Sequence, residues 1–239
     1  MISFVIVSYN EERNILFTFK EILKTIKKFN FKKYEIIFIN DCSTDSTKDI
    51  ILDIKKKNKN IKIINNKKNL GFGGSVKKGL NYAKYKYIFW VPGDNAHKSS
   101  QINKIIKMGV SENMDITSTY YTNKSQRSNF RKFFTSSYTP FLNFIFNIKI
   151  PYYNGIFLIK KNIIKKIEIY TNSHSWQVEL WVKAKFLKNF KYSFVETIVK
   201  DPKEGATAFK FKNSIKVVIN IFRLIIINIY LNFFYYFKD

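Results

Sequence analysis

Apolar residues come in short unbroken runs, separated by longer segments in which they recur every three or four positions. The runs are ISFVIV (2–7), YEIIFIN (34–40), IKIIN (61–65) and YIFWV (87–91). Each is rich in β-branched or aromatic residues and short, which predicts buried strands. Between them, NILFTFKEILKTIKKF (14–29) has helical spacing, STDSTKDIILDIKKKN (43–58) opens on Ser, Thr and Asp suited to cap a helix, and GGSVKKGLNYAKY (73–85) is helix-like. Fully apolar strands alternating with helices predict an α/β fold, its central sheet mainly parallel and covered on both faces. In such sheets ligands bind beyond the C-terminal strand ends. The chemistry is therefore expected just after each strand.

Four polar loops follow the four strands: SYNEERN (8–14), DCSTDST (41–47), NNKKNLGFGGS (65–75) and PGDNAH (92–97). They carry Glu11, Glu12, Asp41, Asp45 and Asp94 to one predicted rim. Any single loop reads as ordinary turn chemistry; four on one rim read as a site. The stretch GFGGSVKKG (71–79) is not a phosphate-binding Walker loop, because no Gly-Lys-Ser/Thr follows. It is not a dinucleotide fingerprint either, because Val76 stands where the third glycine belongs. Two readings stay open: helix-start amides that hold a phosphate, or a tight turn that lets a helix pack closely.

Composition changes this picture little. The formal charge is +25, but the basic residues are spread along the whole chain and accompany heavy use of Asn, Ile, Phe and Tyr. They read as solvated surface, and nucleic acid is not expected as a partner. A single cysteine, Cys42, excludes internal disulfides and fits a reducing compartment. The opening MISFVIVSYN lacks a basic leader and reads as a strand, not a secretory signal.

The motifs VIVSYNEERNI, INDCSTDST, NLGFGGSVKKGLNYAK and FWVPGDNAH occur in the order and at the spacing of the family 2 glycosyltransferases of GT-A fold. The chain most resembles the dolichol-phosphate mannose synthase and polyprenyl-phosphate glycosyltransferase group. Downstream, YYNGIFLIKKNII (152–164), WQVELWVKAKFLKNFKYSFVETIV (176–199) and KEGATAFKFKN (203–213) resemble later segments of that group. The resemblance covers residues 1–213, read as the glycosyltransferase domain, and leaves 214–239 as a tail.

The resemblance implies a nucleotide-diphosphate sugar donor, a UDP- or GDP-sugar. It implies that Ser8, Tyr9, Asn10 and Glu11 contact base and ribose, that Asp41 meets the base edge, and that Gly71 and Gly73 let backbone approach the nucleotide. Lys77 is a candidate for a phosphate. Where the family ends its fourth strand in Asp-x-Asp, this chain has Pro92, Gly93 and Asp94, so the first Asp is lost. Asp94, with Asn95, is the expected ligand of Mg²⁺ or Mn²⁺, which needs few protein oxygens when diphosphate supplies others. His97 is expected to orient the turn. Asp94 and Glu179 are the expected catalytic residues, Glu179 as general base for a hydroxyl acceptor. A phosphate acceptor is already ionised and needs none. A Gln-x-x-Arg-Trp motif is absent, which argues against a processive polysaccharide synthase.

On the acceptor side the resemblance points to Arg127 and Arg131, although Tyr120, Tyr121 and Pro151 depart from the group's pattern. The expected acceptor is a polyprenyl phosphate, glycolipid or lipid-linked glycan. On a helical wheel the tail SIKVVINIFRLIIINIYLNFFYYFKD (214–239) clusters Lys216, Asn220 and Arg223, with Asn228 and Asn232 on the adjoining arc, leaving a wide apolar face. That pattern predicts a helix in the membrane interface; packing on the domain or on a partner is the competing reading. The expected location is the cytoplasmic face of the cell membrane. A non-catalytic sugar-nucleotide binder is the alternative function. A sugar nucleotidyltransferase fits less well, because SYNEERN has no glycine.

Overall fold

The computed structural model describes residues 1–122, 129–198 and 211–236, with side chains for all of these except 129–136, 211–214 and 234–236. The four anticipated strands form as β1 (Ile2–Ser8), β2 (Tyr34–Asn40), β3 (Ile61–Asn65) and β4 (Tyr87–Pro92). They are joined by α1 (Ile15–Lys28), α2 (Thr47–Lys56) and α3 (Phe72–Tyr82). Helix α2 starts at Thr47 rather than Ser43, because the Asp45 carboxylate accepts from Thr47 N and holds residues 43–46 as a turn. Then follow α4 (Ser99–Ser111), β5 (Ile116–Tyr121), α5 (Asn129–Phe146), β6 (Phe157–Lys160), α6 (Lys161–Lys166), α7 (Trp176–Ala184), β7 (Tyr192–Thr197) and α8 (Phe211–Tyr236).

The strands form one sheet in the order β3-β2-β1-β4-β6-β5-β7, and only β6 runs antiparallel to its neighbours. Every residue of β1 is buried, as a central strand covered on both faces requires. Helix α1 supplies Ile15, Phe19, Ile22 and Ile26 to the core at helical spacing. Helix α3 packs directly on β1 and β2 because position 79 is glycine: a Cβ there would collide with Val5.

Registers bring the ends of the first four strands level. Ser8 pairs with Asn40, Asn40 with Asn65, and Val7 with Pro92. The chain turns one way from β1 to β2 and the other way to β4. The crevice of an open α/β sheet lies at such a reversal, so the loops after β1 and β4 flank it.

Helix α8 packs against α7 and α5. Its buried residues are Asn220, Leu224 and Asn228, four apart on one face. Val218, Ile219, Phe222, Ile226, Ile229 and Phe233 are each half or more exposed on another. Of the polar positions, Asn220 and Asn228 are thus turned inward while Lys216 and Asn232 stay exposed, and the apolar stripe faces outward.

Candidate active site

The β1 and β2 loops are stitched together. Asn10, at φ +56°, takes Thr44 N on its side-chain oxygen at 2.9 Å and donates its own N–H to Ser43 Oγ at 3.0 Å. Glu11 N donates to Thr47 Oγ1 at 2.8 Å. Ser8 is buried beneath the rim and donates to Ile39 O, so it supports the loop from below. Tyr9, at the rim, is 48% exposed.

Gly93 locks the β4 loop to β1. Its N–H donates to Val7 O at 2.8 Å, and a Cβ would lie 3.0 Å from Ile15 and 3.1 Å from Ser8. Thr18, buried one turn into α1, donates to Gly93 O and accepts from Asn95 N, both at 2.9 Å. The sequence reading missed Thr18, although a hydroxyl on the apolar face of α1 was the available signal. These contacts hold Asp94 half-buried beside the β1 loop, one oxygen accepting from Ala96 N at 3.0 Å.

Burial raises the Asp94 carboxyl above its usual range. Burial also raises Glu11, and the nearby charges of Asp94 and Asp45 raise it further, against a hydrogen bond from Asn14. Carboxylates that share a poorly solvated space favour a cation between them. Among the described residues no three His, Cys, Asp or Glu side chains converge as a ready-made metal cage. The chemistry of the donor set fits a hard cation that takes Asp94 as its protein ligand and draws its other oxygens from elsewhere.

Asn95 does not join that set. Its side-chain oxygen accepts from the Lys98 ammonium at 3.1 Å, and a fixed cation there opposes a second one. His97 is buried with Nδ1 unpartnered, stacks on Tyr121 at 6.2 Å, and is held neutral, its pKa lowered to about 4 by burial. It packs against Tyr121 of β5.

Asp41 is buried. One carboxylate oxygen accepts from Asn66 Nδ2 and Leu70 N, both at 2.8 Å, so Asp41 fixes the β3–α3 loop. Asn66, another residue the sequence reading missed, links Asp41 to Ser75 and Lys78.

The glycine cluster departs from expectation. Gly73 N donates to Asn172 O at 3.1 Å, and a Cβ on Gly73 would lie 2.6 Å from Ser173 O. Gly71, at φ +77°, faces Asn172 O in the same way. The backbone these glycines admit is the chain's own, at 172–173. Lys77 likewise donates to Ile169 O and Tyr170 O at 3.1 and 2.9 Å and is not directed at the rim. Glu179 has no open face. It is fully buried, accepts Tyr170 N and Thr171 N at 3.0 Å each, and pairs with Lys183 at 2.7 Å. Its oxygens are taken by the 170–171 backbone, which makes it the support of that loop, whereas a general base needs a free oxygen. Arg127 lies outside the described residues, and Arg131 lies on α5 with its side chain outside them.

The family model for Glycosyl transferase family 2 matches residues 3–168, well over half the chain. The chain belongs to this family. An uncharacterized protein of Methanocaldococcus jannaschii is 35% identical over 116 residues, 46% of this chain and 48% of that one. Dolichyl-phosphate beta-glucosyltransferase of Saccharomyces cerevisiae is 33% identical over 110 residues, 44% of this chain and 33% of that one. This family 2 member thus matches less than half the length of either relative. Among solved structures it is similar to glucosyl-3-phosphoglycerate synthase from Mycobacterium tuberculosis, solved with Mn²⁺, uridine-diphosphate and phosphoglyceric acid. The TM-score is 0.71 at 13% identity, over 94% of this chain and 78% of that one. At that identity the likeness establishes the GT-A fold of this family 2 member.

Proposed function

We propose that the chain transfers a sugar from a nucleotide-diphosphate sugar, UDP- or GDP-linked, to a membrane-associated acceptor, with inversion. The observation that carries this is Asp94: a desolvated carboxylate held at the end of β4, beside Glu11, at the crevice of the sheet. Tyr9, half-exposed at the rim, is an aromatic residue suited to stack on a base. Asp41 holds the loop that bounds the nucleotide on the other side. Asp94 would hold Mg²⁺ or Mn²⁺. When bound, such an ion neutralises charge on a leaving diphosphate. The β1 loop and Gly93 keep the Asp94 carboxylate in place at that position.

A phosphate acceptor is favoured over a hydroxyl. A hydroxyl needs a base, and the Glu179 oxygens are engaged. A phosphate monoester carries about −1.5 to −2 charge at neutral pH and attacks without one. The yeast relative is named for transfer to dolichyl phosphate, which supports a polyprenyl phosphate here, with a glycolipid or lipid-linked glycan as the wider class.

Residues 1–213 are read as the catalytic domain and α8 as its membrane contact. Ile215–Phe233 is long and apolar enough to cross a membrane, at a mean hydropathy of 1.7. However, Asn220, Leu224 and Asn228 are spent on the domain, which supports a helix lying along the surface with its apolar stripe in lipid. Burying such a side chain fully is worth about 1.5–3 kcal/mol, so six of them hold a soluble domain at an interface. Surface lysines add attraction to anionic headgroups. The proposed location is therefore peripheral, on the cytoplasmic face of the cell membrane. The test is incubation of the full chain with labelled UDP- and GDP-sugars, Mn²⁺ and polyprenyl phosphate in vesicles. Radiolabel extracted with the lipid supports the reading. Donor binding without transfer to any lipid would make the chain a binder instead.

A further inference from the structure

A cleft of about 560 Å³ lies at the opposite end of the sheet from the rim that holds Asp94. Tyr192, the first residue of β7, lines it and pairs with Ile116, the first residue of β5. Ile159 of β6 pairs with both Ile116 and Ile88, so Tyr192 is level with the start of β4. Asp94 follows the end of β4, about 15 Å or more further along the strand direction. None of the residues of the β1, β2, β3 or β4 loops lines this cleft.

Three rings make one wall. Phe190 stacks on Tyr192 at 5.6 Å, and Trp181 of α7 meets the pair edge-on, 5.7 Å from Tyr192 and 6.3 Å from Phe190. The rings touch one another, so a ligand lies across them and not between them. Tyr192 is 41% exposed. Trp181 is fully buried, and its indole N–H has no acceptor among the described residues. Asn147 and Asn189, both exposed, bring side-chain amides to the cleft from turns of left-handed backbone. An aromatic wall with a few convergent amides is the usual make-up of a small-molecule site, and the volume falls in the usual range.

Charge decides the kind of ligand. Two helices end here: Asn147 follows α5 and Lys185 follows α7. Carbonyls at helix C-termini carry partial negative charge, which opposes an anion. Lys185 meets that charge directly, donating to Phe146 O at 2.6 Å. Lys149 adds an exposed ammonium, and no acidic residue lines the cleft, which opposes a cation. Neither sign of charge is favoured, so a neutral ligand fits, with one apolar face for the rings and hydroxyls for the amides.

We propose that this cleft binds a neutral saccharide, its ring lying across Tyr192 and Phe190 and its hydroxyls meeting Asn147, Asn189 and Lys149. Its distance from Asp94 separates it from the donor and acceptor positions of the transfer. The site therefore holds a glycan without entering the chemistry, and it rests on neither the donor reading nor the membrane reading.

The test is ligand-observed NMR titration of the full chain, in detergent without sugar head groups and without nucleotide or metal. The probes are maltotriose, cellotriose and chitotriose, with glucuronate, AMP and cyclohexanol for comparison. At least one trisaccharide should bind saturably and more tightly than all three comparison compounds. Tyr192→Ala should weaken that binding about fivefold or more, and Tyr192→Phe, which keeps the ring, should retain it. Where Tyr192→Ala is poorly folded, Asn189→Gly keeps the left-handed backbone and should still weaken binding about threefold through the lost amide. Absence of saturable binding by every trisaccharide, full affinity in folded Tyr192→Ala or Asn189→Gly, or tighter binding of glucuronate, AMP or cyclohexanol overturns the proposal. Titration of the same variants with UDP- and GDP-sugars should match the unaltered protein, which separates this outcome from failure of the transferase reading.

Discussion

Asn220 on α8 donates a hydrogen bond of 2.9 Å to Ser175 Oγ at the start of α7, and both side chains are buried. The tail helix is thereby attached by its polar face, and its apolar stripe is left outward. Two kinds of change should therefore behave differently. Phe222→Ser with Ile226→Ser, on the outward face, should release the protein from vesicles in a sedimentation assay and leave its thermal midpoint nearly unchanged. Asn220→Leu should leave vesicle binding largely intact but loosen α8, at about 0.5–1.5 kcal/mol for one lost hydrogen bond, since Ser175 Oγ keeps its bond with Ser173 Oγ, seen as faster amide exchange in α8. Unchanged vesicle binding of the outward-face variant would contradict the membrane reading.

Gly73→Ala places a Cβ 2.6 Å from Ser173 O, against backbone that cannot rotate away. Overpacking of this kind costs about 1–3 kcal/mol. Urea unfolding should report that loss. A variant of unchanged stability would mean that the glycine loop and residues 172–173 are not packed together as described.

Glu179→Gln removes the charge that pairs with Lys183 and keeps the side chain's shape. Breaking a buried pair costs about 3–5 kcal/mol, so a clear loss of stability is expected. The pH profile of any residual transfer should keep its shape. A stable variant whose profile loses its acidic limb would instead make Glu179 a base.

His97 is buried neutral, and burial lowers its pKa from 6.5 to about 4. The unfolded chain binds this proton more readily than the folded one, so its contribution to stability is lost as pH falls from 6.5 towards 4. His97→Phe should flatten that part of the pH–stability curve. Equal acid sensitivity in both proteins would remove His97 from the cause.

How much of this was legible in the sequence follows from the range of the interactions. The apolar runs of β1 to β4 report burial on both faces directly, and rim loops follow strand ends wherever the sheet is parallel. The meeting of Gly73 with Asn172 spans about a hundred positions, and no local pattern distinguishes a glycine that admits a nucleotide from one that admits its own chain. Glu179 reads as an acid on a helix until Tyr170 and Thr171 are seen to donate to it. The polar arc of the tail was evident from its spacing. That Asn220 turns inward to Ser175 and Arg223 lies over Tyr170 is something the tail's own pattern cannot reveal.

The central claim is that Asp94 serves sugar transfer from a nucleotide-diphosphate donor. The most direct measurement is the initial rate of labelled sugar transfer into lipid, with Mn²⁺, for the unaltered protein and Asp94→Asn at matched folded concentration. Loss of an electrostatic element at the reacting centre costs on the order of 10²-fold or more in rate. We expect a fall of at least that size, with the thermal midpoint in chelator unchanged or raised, because burial disfavours the Asp94 charge when no cation is bound. A folded Asp94→Asn protein that transfers sugar at the unaltered rate would contradict the account.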